Sequence, residues 1–304
     1  MLPHRRPHAV PLSRSAGIRL SQRRTRARVS TPTGDRPTMH ALQTVAVSVL
    51  IIWSAPRSTQ AASQAFVPEL RQGIALFDSA YVAWEDSLFR EARAYFADMA
   101  QRYPESALPH YWQGVVNFHL VSYTLFGLPR DRDTDMARTY IDRGREALEE
   151  ALERAPNDAE SLALWGTLTG MKVYLSPIQA PVLGPSVMRA IQDALEADPD
   201  NPRVHYLVGV SYYFTPAVLG GGVDKGLAYM LEAEELFRRE RQGPPDPLAP
   251  RWGYSTCLSF IGQAYEQKGR REKARAYYRK ALRVNPGDKI ARMALRRLSP
   301  GGGT

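Results

Sequence analysis

Histidine and cysteine side chains are the residues of this chain most suited to chemistry, and their spacing does not support a reactive site. After residue 61 the sequence holds three histidines, His110, His119 and His205. No two of them are four residues apart, so one helix face cannot present a pair to a metal ion. The only cysteine, Cys257, excludes an intrachain disulfide and a cysteine-based metal site. Neither GxSxG nor HExxH occurs, so we expect no enzyme activity, no metal and no cofactor.

Two further patterns could be taken for active-site motifs. The acidic runs 149–150 and 232–235 fall on the faces of predicted helices, where carboxylates are typical of solvated surface. The run Gly220-Gly221-Gly222 is not a phosphate-binding loop, because no strand precedes it and no Gly-Lys-Ser/Thr follows it. Neither pattern therefore predicts nucleotide binding or catalysis.

The charge of the chain is unevenly distributed. The net charge is +9, but residues 1–61 alone hold ten basic residues and one acidic residue. The remaining sequence, 62–304, has 30 basic and 30 acidic residues and is neutral overall. From Arg270 to the end there are eleven basic residues against two acidic ones, so the C-terminal end is basic. Because the excess lies mainly in the leader, we expect no nucleic-acid partner.

The N-terminal region has the pattern of an export signal. Residues 1–38 are rich in Arg, Pro, Ser and Thr and are predicted to be a disordered leader, which is not translated if Met39 is the true start. Within 39–61, the apolar run 41–55 is shorter than the roughly 20 residues that span a bilayer. Thr59-Gln60-Ala61 follows as a cleavage pattern, which predicts a periplasmic or secreted protein. The alternative is that 41–55 is retained as a membrane anchor, the only membrane contact we expect.

The segment Ser255–Asp288 shows the clearest internal pattern. It reads STCLSFIGQAYEQKGRREKARAYYRKALRVNPGD, with Gly262 on a first helix, Ala274 and Ala281 on a second, and Pro286 ending it. Small residues let two helices approach closely, and proline cannot donate the next helical hydrogen bond. This segment resembles the 34-residue tetratricopeptide repeat (TPR).

Similar spacing recurs less regularly upstream. Glycine, alanine and proline positions mark four further repeats, and junctions such as RAPNDAES and EADPDNPRV supply a turn followed by an N-cap residue. The resemblance implies an all-α solenoid of about five antiparallel TPR-like helix pairs with a C-terminal capping helix. We assign this solenoid to 62–298 and a flexible tail to 299–304.

Three stretched repeats carry apolar insertions between their two helices. They are 123–130, 174–185 and 213–222, which we call the first, second and third insertion. Each begins with an aromatic residue and runs through apolar residues into Gly or Pro, whereas a solvated loop would be polar. Two interpretations remain open: the insertions fill gaps between repeats, or they form the rim of an apolar ligand pocket.

The TPR resemblance also implies which residues line the concave groove, because the first helix of each pair faces inward in that family. The candidate binding residues are Tyr111, Val115, Phe118, His119, Met171, Arg203, Tyr206, Val210 and Tyr213, with Ala163, Thr167, Ser259, Gln263 and Gln267 at equivalent positions. An exposed aromatic groove is typical of a binding surface. We therefore predict a non-catalytic scaffold that binds a peptide or protein on its concave face. The alternative is a periplasmic protein that binds a small apolar ligand in a pocket closed by the insertions.

Overall fold

The computed structural model describes residues 57–127, 133–244 and 246–299. Within these ranges all regular structure is helical, which confirms the predicted all-α fold. The helices are α1 (Arg57–Ala83), α2 (Asp86–Arg102), α3 (Ala107–Ser122), α4 (Thr134–Arg154), α5 (Ala159–Leu175), α6 (Ala180–Ala197), α7 (Pro202–Phe214), α8 (Val223–Glu240), α9 (Tyr254–Gln267), α10 (Arg271–Val284) and α11 (Lys289–Leu298). Short segments at Tyr123–Gly127 (π-helix), Pro177–Gln179 and Ala217–Leu219 (both 3₁₀) lie in the three insertions.

Consecutive helices pack as five pairs, from α1–α2 to α9–α10, and α11 caps the last pair. Close approach within the last pair depends on Gly262, where a Cβ atom would lie 2.6 Å from the ring of Tyr278. Gly209 is equally crowded by Met230 of the partner helix α8. The structure thus confirms the solenoid and the packing role of small residues in it.

Side-chain caps at the turns between repeats confirm the predicted helix starts. Asp158 accepts from the backbone N–H of Ser161 at 2.8 Å and so caps α5. Asn201 caps α7 in the same way, and Asp288 accepts from the N–H of Ala291 at 3.0 Å to cap α11. These caps satisfy N–H groups that have no partner inside the helix.

The predicted leader and the apolar run 41–55 lie outside the described residues, and so do residues 300–304 of the predicted tail. Helix α1 begins at Arg57, five residues before the predicted start of the solenoid at residue 62. Among the helices that the structure describes, none is long and apolar enough to cross a membrane. Export, signal cleavage and the boundary at residue 62 therefore stay predictions.

The first helix pair meets the last one at a contact that we call the seam. The Tyr81 hydroxyl of α1 lies 2.7 Å from the Ser255 hydroxyl of α9. Asn285, after α10, donates from Nδ2 to the Tyr81 carbonyl oxygen at 2.9 Å. The backbone of Gly287 lies against the carbonyl oxygen of Val82. The array is consequently not an open arc, because its two ends touch.

Candidate binding surfaces

The predicted groove residues lie in the interior. Of the nine candidates, eight have at most 5% of their surface exposed, and Tyr213 is partly buried. The equivalent residues Ala163, Thr167 and Ser259 are also buried, while Gln263 is partly buried and Gln267 is exposed. The expected open aromatic groove is therefore absent along these positions. That these residues bind a partner stays a prediction.

Aromatic side chains from different repeats fill this interior around His119. The rings that lie with centroids within 6.4 Å of its imidazole are Phe77, Tyr81, Trp84, Phe89, Phe118 and Trp252. Trp252 comes from the long α8–α9 connection, to which the sequence analysis assigned no role. Because the imidazole is fully buried, its pKa falls to about 4, although Nδ1 bonds to the Val115 carbonyl. His119 is thus a neutral core residue at pH 7.

A buried polar network crosses the same interior. Glu160 accepts from the Tyr111 hydroxyl and from Arg203 Nε, the latter at 2.7 Å. Arg203 also donates to Glu240, and Trp252 Nε1 donates to the Tyr111 hydroxyl at 3.1 Å. Burial alone would lower the pKa of Arg203, but the two carboxylates outweigh it and raise that pKa. The network joins repeats two, three and four and keeps Arg203 charged.

Sequence reasoning selected Tyr111 and Arg203 but missed Glu160, Glu240 and Trp252. Glu160 comes two residues after the cap Asp158, where an acidic residue is ordinary in the first turn of a helix. Glu240 ends α8 among exposed charges. Nothing in their local sequence distinguishes them from surface carboxylates.

The second and third insertions form an exposed apolar surface. The exposed fraction is 88% at Ile178, 79% at Val182 and 91% at Val218. Tyr174 and Leu219 are also exposed. We call these five residues the insertion patch.

The two insertions of the patch are neighbours in space and carry no charge. They follow the C-terminal ends of α5 and α7, which pack together. There the rings of Tyr174 and Phe214 lie 5.2 Å apart. The segments 173–188 and 206–223 contain no Asp, Glu, Lys or Arg. The patch therefore has an uncharged centre on the surface, with Lys225 bonded to the Gly220 carbonyl and Arg138 to the Leu175 carbonyl at its edges.

The first insertion behaves differently where it is described. Thr124 and Leu125 are buried, and the ammonium of Lys289 lies 5.1 Å from the ring centre of Tyr123. This part fills the space between α3 and α11, which agrees with the gap-filling interpretation. Residues 128–132 of this connection lie outside the described residues.

Three cavities lie at the turns between repeats, and none of them is lined by the insertion patch. The turn cavity, of about 590 Å³, is lined by residues at the starts of α3, α5 and α7, including Tyr111 and Glu160. The seam cavity, of about 490 Å³, lies between Tyr81 and the α8–α9 connection. The basic cavity, of about 410 Å³, is lined by Arg238, Arg241, Gln242, Tyr254, Lys280, Arg283 and Val284. The seam and basic cavities share Arg241, Tyr254 and Val284.

No three His, Cys, Asp or Glu side chains among the described residues are placed to hold a metal ion. Cys257 is fully buried, and burial raises the pKa of its thiol, so it is a small core residue rather than a nucleophile.

Comparison with known proteins agrees with the architecture. The tetratricopeptide repeat family matches residues 255–288 and, separately, residues 77–127. The first match coincides with Ser255–Asp288, the segment with the clearest repeat pattern. No curated protein matches the chain by sequence.

Two solved structures share the fold at low identity. The HusA haemophore from Porphyromonas gingivalis is 20% identical to this chain, with a TM-score of 0.53. The match covers 66% of this chain and 94% of the haemophore chain. A thermophilic TPR protein in Thermus thermophilus is 17% identical to this chain, with a TM-score of 0.53. That match covers 77% of this chain and 98% of the Thermus chain. At these identities the likeness concerns the fold alone.

Proposed function

Since the chain is a tetratricopeptide-repeat protein, we propose that it is a non-catalytic scaffold that binds a protein partner through the insertion patch. The observation that carries the proposal is the exposure of Ile178, Val182 and Val218 on two adjoining connections. Large apolar side chains grouped on a surface commonly mark a contact with another protein. Repeat folds are scaffolds of this kind in general, which agrees with an interaction role.

The chemistry of the patch defines the partner's contact surface. The centre of the patch, in 173–188 and 206–223, carries no charged residue, and the nearby cations Lys225 and Arg138 lie at its edges, bonded to backbone carbonyls. A charged contact surface would lose its hydration there without compensation. The partner therefore presents an apolar, uncharged surface, and its affinity depends only weakly on salt.

Binding of a peptide on the concave face lacks this kind of support. The side chains predicted to line it, such as Tyr206 and Val210, are fully buried. A peptide could reach them only if the interior were unpacked. The small-ligand alternative is also weakened, because the second and third insertions expose their apolar side chains instead of closing over a pocket.

The test places a photo-crosslinking residue at Ile178 and, separately, at Val218 in the full chain. We expect both positions to yield the same single adduct with one protein, which then binds in purified form. The double variant Ile178→Ser/Val218→Ser should abolish this binding without lowering the melting temperature, because neither side chain is buried. Leu108, an exposed apolar residue at the start of α3, is the matched control for both crosslinking and substitution.

Three outcomes would contradict the proposal. They are no adduct at either position, an equal adduct from Leu108, and an adduct between two copies of this chain. The last outcome would make the patch a self-association surface.

We further propose that the scaffold acts outside the cytoplasm, on the basis of the export pattern in 39–61. The mass of the mature N-terminus tests this proposal. A chain that begins just after Ala61 supports export with cleavage, whereas retention of 41–55 supports the anchored alternative.

A further inference from the structure

The basic cavity brings several cations together at one place on the surface. Its lining contains four cations, Arg238, Arg241, Lys280 and Arg283, and no carboxylate. They come from two sources, the C-terminal end of α8 and the last turns of α10. The two helices are separate in sequence, since α8 ends at Glu240 and α10 begins 31 residues later, at Arg271.

Two of these four cations are balanced by neighbouring acids. Arg238 forms an ion pair with Glu235 at 2.6 Å, and Lys280 forms one with Glu234. Arg241 and Arg283 have no carboxylate at ion-pair distance among the described residues. Two positive charges thus remain without an ion-pair partner at the cavity, although Arg241 also lines the seam cavity together with Asp78, Glu240 and Asp246.

The cations are also close enough to oppose one another. The pKa of Lys280 is lowered, first by burial and then by the charge of Arg283. The guanidinium of Arg241 lies 5.6 Å from the ring centre of Tyr254, which also lines the cavity. A bound anion would relieve the repulsion between these groups.

We propose that the basic cavity binds a phosphate dianion, held by Arg241 and Arg283 and assisted by Lys280. Two guanidinium groups suit this ligand because each can donate two parallel hydrogen bonds to phosphate oxygens. The two uncompensated positive charges match the charge of phosphate or of a phosphate monoester near neutral pH. This inference is independent of the partner proposed for the insertion patch.

The experiment is calorimetric titration of the full chain with inorganic phosphate at low ionic strength. We expect saturable one-to-one binding that weakens by about tenfold or more in Arg241→Gln and in Arg283→Gln, since each substitution removes a hydrogen bond between charged groups. The matched control is Arg239→Gln, which changes an exposed arginine on α8 that does not line the cavity. Acetate, a single negative charge, should bind far more weakly than phosphate.

A second arm separates the sources of the phosphate group. Vesicles of phosphatidic acid in phosphatidylcholine should bind the chain, with the same loss in the two variants, if the group is presented by a lipid. Phosphate binding without vesicle binding supports a soluble phosphate compound. The proposal is overturned if neither probe binds, or if Arg239→Gln weakens binding as much as the cavity variants do. Thermal melting of all three variants should match the parent chain, because Arg239, Arg241 and Arg283 are exposed.

Discussion

The Tyr81 hydroxyl lies 2.7 Å from the Ser255 hydroxyl, which joins the first helix to the ninth across 174 residues of sequence. Both groups are fully or largely buried, and Asn285 bonds to the Tyr81 backbone beside them. In an open repeat array each pair contacts only its neighbours. Here the first pair also depends on the last, so a change at the seam should affect the stability of both ends.

Replacing Gly287 with Ala tests this dependence. A Cβ atom at that position would overlap the carbonyl oxygen of Val82, a backbone atom that cannot rotate away. We expect Gly287→Ala to lower the free energy of unfolding in urea by about 2 kcal/mol or more. Hydrogen exchange of residues 77–84 should rise at the same time.

Gly184→Ala is the control for that substitution. Nothing lies within 4 Å of a Cβ atom there, and the residue is inside α6. Alanine should therefore be neutral or stabilise the helix by up to about 1 kcal/mol. An unchanged unfolding midpoint in Gly287→Ala would show that the seam adds nothing to stability.

The ion pair between Glu160 and Arg203 is the second test of the interior. Glu160→Gln keeps the shape of the side chain but leaves Arg203, only 5% exposed at its side chain, with Glu240 alone. Removal of one partner from a buried pair costs about 3 kcal/mol of unfolding free energy. The exposed Glu153 of α4 provides the control Glu153→Gln, for which we expect no measurable change.

A second substitution identifies the cause of that loss. Adding Arg203→Met to Glu160→Gln removes the buried charge that has lost one of its two carboxylate partners, so part of the stability should return. If the double variant is as unstable as the sum of both single variants, the loss comes from packing and not from the charge of Arg203.

Local sequence predicted the helix pairs and their caps because these depend on residues close in the chain. Gly262, Asp158 and Asn201 act on a partner helix or on the next turn, and their roles were read correctly. The seam could not be predicted in this way. The contact of Tyr81 with Ser255 depends on the twist accumulated over four repeats, which small differences in each pair determine.

The same limit explains the outcome at the candidate groove. The TPR pattern identified helix positions that face inward, such as Val115 and Tyr206, but not what occupies the space in front of them. Trp252, supplied by a connection without a repeat pattern, packs against Tyr206 and His119 there. The sequence indicates the insertion patch only through the unusually apolar composition of the two insertions. That composition alone does not say whether a loop folds inward or stays exposed.

The buried carboxyl of Asp288 should make the free energy of unfolding fall as the pH rises. Burial raises the pKa of this carboxyl to about 6, against an ordinary value of 3.8, despite bonds from Ala291 and Ser259. The folded state therefore holds the proton more tightly than the unfolded state between pH 4 and 6. Across that interval the group should lower the unfolding free energy by about 3 kcal/mol, with no further change above pH 6. In Asp288→Asn, which retains the capping oxygen, this contribution should vanish in urea titrations at pH 4, 5, 6 and 7.

The buried imidazole of His119 should have the opposite effect, so that its contribution to the free energy of unfolding increases with pH over nearly the same interval. Its folded pKa of about 4 lies below the ordinary 6.5, so the unfolded chain takes up a proton first as the pH falls. Its contribution to stability should rise by about 3 kcal/mol from pH 4 to 6.5. His119→Phe keeps a ring in the aromatic cluster and removes the titration, so we expect a change within about 1 kcal/mol at pH 7.

The two groups should nearly cancel in the parent chain between pH 4 and 6, and the variants separate them. Asp288→Asn leaves the histidine alone, so its unfolding free energy should climb with pH. His119→Phe leaves the carboxyl alone, so its unfolding free energy should fall with pH over the same interval. The double variant should return to the shallow dependence of the parent chain, set by the other titrating groups. Parallel curves for the parent chain and both single variants would mean that neither buried group changes its proton affinity on folding.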